Sequence, residues 1–417
     1  MPIPKPVPKP VQAAIHHYRL RFHRPFVTSG FTLTHREGLL VRLTIPNPDP
    51  VGPAPPYWVG FGDAAPLPGF GGESLADTRQ ALGLMAEAIE AWAAAGSSGL
   101  PNDLDELCQV QHRFRAIAPE APAARAAIDM ALADIAAQRT GLSIARWLHP
   151  DAVRSVRVNA IVGAEDPQWA AVAARQAVED GFETIKVKLA APTTPASAEA
   201  EWDAGAVDAR DIARVAAVRA AVGHTVAIRG DANGAWSAER ALVVLRRLAE
   251  YGVEFVEQPV AAGDVAALAQ LRRMSPVRVA ADEALLEPGG PEAVVRLGAA
   301  DVLILKPALL GGISMAWEMA RRAIGVGMEV VVTTALESAV GRAAALHLAA
   351  AVAALPRGQR EAPPERGFGP EVLASGLATG GLLAADVAAG PQPVRGWMTV
   401  PTADGLGVAP TVDFEPF

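Results

Sequence analysis

The chain has 417 residues, enough for two domains or for a barrel with a cap. A hydrophobic fraction of 51% with 20% charged residues excludes a disordered chain, and a net charge of −8 without a basic stripe argues against a nucleic-acid partner. A single cysteine, Cys108, excludes an internal disulfide framework and leads to the expectation of a cytoplasmic protein.

Residues 1–11 read as a flexible leader rich in Pro and Lys, without the apolar stretch of a signal peptide. Residues 12–121 are expected to form a capping domain. It begins with a hairpin, one strand near 17–22 and one near 38–44, turning around Thr28, Ser29 and Gly30. A Pro/Gly-rich loop spans 47–72. Ser74 then caps a helix running to about Ala95, with Leu82, Met85, Ile89 and Trp92 at helical spacing. A helix from Pro122 to Arg139 follows, with Gly141 just past its end.

The rhythm then changes. Short β-branched runs at 156–162, 184–189, 226–231, 253–257, 277–281, 301–306 and 329–333 alternate with helical stretches. Such alternation predicts parallel βαβ units. With an eighth strand expected near Gly367, residues 122–375 read as a barrel carrying an insertion near 190–206. The segment 376–417 is expected to return to the cap. The fold class is therefore α/β: a (β/α)7β TIM-like barrel with an α+β capping domain built from the N-terminal segment and the C-terminal tail. The apolar stretch at 343–355 contains His347 and is too short to span a bilayer, so no membrane partner is expected.

The ends of the strands carry the chemistry. The second ends Lys186-Val187-Lys188, the third Arg229-Gly230-Asp231-Ala232-Asn233 and the fourth Glu257-Gln258-Pro259. The fifth ends Asp282-Glu283 and the sixth Lys306-Pro307. Asp231, Glu257, Asp282 and Lys306 are 26, 25 and 24 residues apart, about one βα unit each. In a barrel such residues converge on one mouth. Three carboxylates on successive strands make a site of hard oxygen donors, which suits Mg²⁺ as a Lewis acid. Strands two and six face each other, so Lys188 and Lys306 would flank a substrate. Lys186 shares a face with Lys188, and Arg229 with Asp231. Repulsion between the paired ammonium groups is expected to lower a pKa and help one act as base.

Taken singly, each residue has a blander reading. An Asp before a helix is usually a cap, a strand-end Lys usually reaches solvent, and Gly311 to Ser314 is more often a loop than a phosphate cradle. Five charged residues in register are hard to obtain by chance. The histidines lack metal-ligand spacing, and His347 reads as packing.

These motifs, K-x-K, D-x-N, E-Q-P, D-E and K-P, resemble those of the enolase superfamily, in its muconate-cycloisomerase-like branch, over nearly the whole chain. The segment Ala127 to Leu132 is similar to that family's first barrel helix. Within the branch the chain resembles o-succinylbenzoate synthases. Arg24 to Gly30 looks like their cap loop, residues 65–70 like their cap turn, and Thr333 to Ser338 like their substrate-contacting segment.

The resemblance implies Mg²⁺ (with Mn²⁺ as substitute) on Asp231, Glu257 and Asp282. It implies Lys188 as base and Lys306 as the opposing cation. Lys186, Arg229, Asn233, Ser29, Thr333, Leu336, Glu337 and Ser338 would tune or contact a small carboxylate substrate. The implied reaction is dehydration of 2-succinyl-6-hydroxy-2,4-cyclohexadiene-1-carboxylate for menaquinone. N-acylamino-acid racemisation uses the same lysines and stays open. Muconate cycloisomerisation and dipeptide epimerisation are weaker fits, the latter because 367–376 lack an Asp-x-Asp. A Schiff-base aldolase on Lys306 would leave the carboxylates unexplained. A homo-oligomer is left open.

Overall fold

A computed structural model describes residues 11–27, 31–47, 55–70, 72–94, 101–163, 166–190, 204–356 and 372–416. The leader, the turn at 28–30 with Ser29, most of the 190–206 insertion and the neighbourhood of Gly367 lie outside them.

The cap is a sheet of four strands in the order β13-β1-β2-β3. Strands β1 (Gln12–Val27) and β2 (Thr32–Pro46) form a hairpin longer than expected, irregular between Arg21 and Phe26. Along β1, Tyr18, Leu20 and Phe22 point inward while Arg19 and Arg21 face solvent. Strand β3 (Tyr57–Ala64) lies where the sequence reads as loop. Helix α1 (Leu75–Ala94) covers the sheet, and α2 (Leu104–Ile117) packs beside α1. Ser74 caps α1, accepting from Asp77 N at 3.2 Å while Asp77 answers its hydroxyl. Asp103 caps the unforeseen α2 through Glu106 N at 2.9 Å.

Helix α3 (Pro122–Thr140) is the joint between cap and barrel. Its alanines let neighbours approach on every side, and it is buried from Ala123 to Ala137. Gly60 and Gly62 of β3 make this possible, because a Cβ at either would strike the carbonyls of Ala131 or Ala127 within 2.1 Å. Two buried acids tie α3 to its surroundings. Asp134 accepts from Phe61 N and Leu406 N, and Asp129 accepts from Ser314 N.

After α4 (Ile144–Leu148), the first expected strand is two pieces. The first, β4 (Ser155–Arg157), pairs with β12 (Trp397–Thr399) rather than with the barrel. The barrel proper is a parallel sheet of seven strands. They are β5 (Ala160–Val162), β6 (Thr184–Lys188), β7 (Ala227–Asp231), β8 (Val253–Glu257), β9 (Arg278–Ala281), β10 (Val302–Leu305) and β11 (Glu329–Val332). Helices α5 (Pro167–Glu179), α6 (Ala204–Val222), α7 (Ala238–Ala249), α8 (Val265–Met274), α9 (Gly290–Leu297), α10 (Pro307–Leu310), α11 (Ile313–Gly325) and α12 (Ala339–Ala353) follow in turn.

Residues 375–376 close the ring in the eighth position. Ser375 bridges Val158 and Gly376 bridges Thr333, both in parallel. The closing stave thus lies eight to nine residues beyond the Gly367 expected from the sequence. From there the chain returns to the cap, where Leu383 bridges Phe22 and β13 (Glu415–Pro416) pairs with β1. Among the described residues no helix is long and apolar enough to cross a membrane.

Candidate active site

Register decides which side chains meet. Lys188 pairs with Asp231 across β6 and β7, and Asp231 pairs with Glu257 across β7 and β8. These three stand in one layer at the carboxyl end of the barrel. Asp282 and Lys306 follow the last residues of β9 and β10 and join them. Asp231, Glu257 and Asp282 are 1–2% exposed, Lys188 and Lys306 less than a tenth.

The ammonium groups lie between the carboxylates. Lys188 donates to Asp231 Oδ2 at 2.6 Å and to Asn233 Oδ1 at 3.0 Å. Lys186 Nζ bridges Asp231 (2.8 Å) and Glu257 (2.6 Å). Lys306 holds both oxygens of Asp282. Asn233 passes the chain on to Glu283, donating at 2.9 Å.

The electrostatics differ from the expected repulsion. Burial alone would lower Lys186, but Asp231, Glu257 and Asp282 outweigh it and hold its pKa above the ordinary range. Lys306 is likewise raised, against burial, by Asp282, Glu283 and Glu257. In Lys186 and Lys306 the neighbouring carboxylates dominate. Burial, then the nearby Asp231, push Glu257 up to about 7 despite Lys186. Asp231 goes down, because two lysines outweigh its burial.

Among the described residues no three His, Cys, Asp or Glu side chains converge on one point as the chain stands. The donor set nevertheless fits a hard divalent cation. The carboxylates come from three successive strands, and Glu257 Oε1 is buried without a hydrogen-bond partner.

The strand exits are held in unusual backbone. Ala190, Asn233, Gln258 and Leu336 all have positive φ, between 37° and 67°. Left-handed conformation in residues with a Cβ is costly and collects at functional sites. Side chains brace these exits. Gln258 Oε1 accepts from Asp282 N and Ala284 N, fixing the fifth strand's exit from the fourth. Arg214 of α6 donates to Lys188 O at 3.0 Å and to Asp211, which accepts from Ala190 N at 2.7 Å. Reading the sequence missed Gln258, Arg214 and Asp211. The E-Q-P motif marks Gln258, but nothing marks a buried pair on the following helix.

Other expected contacts go elsewhere. Arg229 turns away from the mouth. Its guanidinium binds Glu254 Oε2 and Ala374 O, each at 2.6 Å, and lies 4.7 Å above the Phe255 ring. Alternation gave the right face, but the long side chain runs toward the amino end of the strands. Glu337 and Ser338 are buried in the joint with the cap. Glu337 accepts from Ala335 N, and Ser338 donates twice to Asp63 of β3, which also accepts from Tyr18. Thr333 and Thr334 bond the closing stave through Gly376 O. Leu336 is buried.

At the mouth, Leu67 of the cap packs on Leu309 and Ala335 of the barrel, flanked by Phe31 and Phe70 of the cap and Leu286 of the barrel. A cavity of about 20 Å³ beneath the site is lined by Lys186, Glu257, Arg229 and Phe255, among others. A cavity of about 950 Å³ opens at the opposite end of the barrel, away from the lysines and the three carboxylates; Arg229 lines it as well.

Residues 169–414 match the family described as enolase C-terminal domain-like. The o-succinylbenzoate synthase of Thermobifida fusca (strain YX) is 39% identical over 251 residues, 60% of this chain and 68% of that protein. The hydrophobic dipeptide epimerase of Enterococcus faecalis (strain ATCC 700802 / V583) is 32% identical over 295 residues, 70% of this chain and 76% of the relative. A solved structure of dipeptide epimerase from Enterococcus faecalis V583, complexed with Mg and the dipeptide L-Leu-L-Tyr, superposes with a TM-score of 0.77. It is 24% identical and covers 96% of this chain and 100% of that one, a likeness of fold.

Proposed function

The chain belongs to the enolase C-terminal domain-like family, and we propose that within it the protein is an o-succinylbenzoate synthase. It would dehydrate 2-succinyl-6-hydroxy-2,4-cyclohexadiene-1-carboxylate in menaquinone biosynthesis, in the cytoplasm. The observation that carries this reading is the meeting of Lys188, Lys306 and three strand-end carboxylates at one mouth.

Asp231, Glu257 and Asp282 would hold Mg²⁺, or Mn²⁺ in its place; the neighbour from Enterococcus faecalis is complexed with Mg. When bound, the cation supplies positive charge against the substrate carboxylate and lowers the barrier to losing the adjacent proton. Lys188, released from Asp231 as the neutral amine, takes that proton from the ring carbon and becomes the ammonium. The electron pair left behind forms the new ring double bond and expels hydroxide. The Lys188 ammonium protonates the hydroxide, and water leaves. Lys306 stays protonated and balances the negative charge on the substrate. Asn233 and the Arg214–Asp211 pair keep Lys188 in place while this happens.

The same placement favours a second reading, racemisation of an N-acylamino acid. One lysine would remove the α-proton and the other return it on the opposite face. A dipeptide substrate is less suited, because residues 374–379 of the closing stave carry no carboxylate to receive its ammonium group.

The test is the loss of diene absorbance on mixing purified protein with the cyclohexadiene carboxylate, with Mg²⁺ and with EDTA. Fast loss that EDTA abolishes supports the synthase. No loss, with deuterium entering an N-succinylamino acid from heavy water, replaces it with the racemase.

A further inference from the structure

The cap contributes one aromatic ring to the lysines. Phe70 ends the short turn Pro68–Phe70, and the face of its ring lies over Lys306 Nζ, 4.5 Å from the centroid. The ring is fixed from several sides. Arg36 of β2 is almost fully buried and donates to Pro66 O at 2.6 Å and to Ala65 O, anchoring the base of the turn. Leu67 is buried against Leu309 and Ala335 of the barrel. Phe31 meets Phe70 edge-on at 5.4 Å. Gly69 leaves room for that contact, since a Cβ there would stand 2.5 Å from the Phe31 ring.

Lys306 thus has two holders, the Asp282 carboxylate and the Phe70 face. They hold it differently. A carboxylate binds the ammonium by taking its hydrogens. A ring face attracts the charge and leaves the three N–H donors free. In the function proposed above, Asp282 turns to the metal, and the ring still holds the ammonium, beside the charges of Glu283 and Glu257.

We propose that Phe70 is a positioning residue: it holds the Lys306 ammonium by its ring face, so that the seated cap turn sets where that charge meets the substrate. The proposal rests on the proposed role of Lys306 as the opposing cation. The ring itself performs no chemistry.

The chain makes the test direct, because it has five lysines, Lys5, Lys9, Lys186, Lys188 and Lys306. Lysine labelled with ¹³C at Cε gives few signals, and Lys306→Arg assigns one of them. A ring face shifts that signal's protons upfield. Phe70→Leu keeps apolar bulk and removes the ring; Phe70→Tyr keeps the ring. The expected result for Phe70→Leu is a downfield move of the Lys306 signal toward the leader lysines. Its kcat should fall about tenfold, with KM changed less than about threefold. Phe70→Tyr should keep the shift and restore kcat to within about threefold.

An unmoved Lys306 signal in Phe70→Leu overturns the proposal, as does an equal loss of kcat in the Leu and Tyr variants. Kinetics are read with the cyclohexadiene carboxylate, or with an N-succinylamino acid if only that turns over. If the wild type turns over neither, the proposed function fails, and the Lys306 signal alone decides whether the ring holds the ammonium.

Discussion

The two ends of the barrel solve the same problem, turning a strand into a helix or back, with opposite residues. At the amino end, Gly181, Gly223, Gly252, Gly298 and Gly327 take the left-handed backbone that ends a helix and starts the next strand. Glycine does this without steric cost. At the mouth Gly234 and Gly311 are left-handed as well, but so are Ala190, Asn233, Gln258 and Leu336, which carry a Cβ. The charges divide in the same way. The mouth holds Lys186, Lys188 and Lys306. The amino end holds Arg229 and Arg278 on Glu254, and Arg157 near Glu183. Arginine is a fixed planar cation, whereas lysine is a rotatable point charge whose proton can leave. One end is built to stay as it is, the other to hold strained backbone and movable protons.

The hardest blow to that division is Lys306→Ala. The residue lies at the mouth against Asp282 and Phe70 rather than in the apolar core, so turnover should fall by about three orders of magnitude in protein that still folds. Near-normal turnover would remove the mouth's claim to chemistry. Lys188→Arg is the sharper variant. It keeps the charge beside Asp231 but not a proton that can leave, and should cost roughly 10²- to 10⁴-fold in kcat. An active Arg variant would mean that only charge matters there.

The amino end should answer in stability instead. Arg229→Met leaves Glu254 and the Ala374 carbonyl without their main donor and should cost about 3–5 kcal/mol in denaturant unfolding. The kcat of the protein that remains folded should stay within a few-fold. A large loss of kcat at full stability would place Arg229 with the mouth after all.

Between the ends, one site in the helix layer excludes charge. His347 of α12 is fully buried, its Nδ1 accepting from Ala145 N at 3.2 Å and its Nε2 meeting Leu406 O at 2.9 Å. A carbonyl can only accept and an amide only donate, so the ring is neutral with its proton on Nε2. Burial, against the bond to Leu406, lowers its pKa to about 4. A depressed base stabilises the fold above its unfolded pKa, near 6.5, and loses that contribution as pH falls toward 4. At pH 5 the loss is roughly 2 kcal/mol relative to pH 8. His347→Gln can keep both bonds without titrating, and its unfolding free energy should fall less between those pH values. Equal pH slopes would show that the ring does not stay neutral.

How far the sequence carries this division follows from which residues had a single possible reason. The strand ends were legible because charged residues recurred at one βα spacing. The lysines add a signal the spacing did not use. In a chain with 37 basic residues, the three lysines outside the leader are Lys186, Lys188 and Lys306, and arginine serves everywhere else. Strand β3 was hidden because Gly60 and Gly62 serve the contact with α3 and break the strand pattern. Helix α2 had its cap, Asp103, in plain view, with Leu107, Val110 and Phe114 at helical spacing behind it, and was overlooked although both signals were present. Arg229, Glu337 and Ser338 were misplaced for another reason. Alternation tells which face a side chain leaves, not how far it runs or what the cap brings to meet it.

The smallest effect tests the backbone half of the comparison with one methyl group. At Ala190, φ is 54°, and Ala190→Gly should relieve about 1–2 kcal/mol of left-handed strain. The freer unfolded chain takes back about 0.4–1 kcal/mol, leaving a small net gain in stability. Gly223 has φ of 75° and open space where a Cβ would stand, so Gly223→Ala isolates the same strain with the opposite sign. It should lose a similar small amount. The midpoints of denaturant unfolding should therefore move in opposite directions. Activity should move differently again: Ala190 lies two residues from Lys188 and is held by Asp211, so its relaxation should lower kcat, while Gly223→Ala should not. Shifts of the same sign would mean that the strain at the mouth is not real. Opposite shifts with kcat unchanged in both would mean that it is real but serves no catalytic placement.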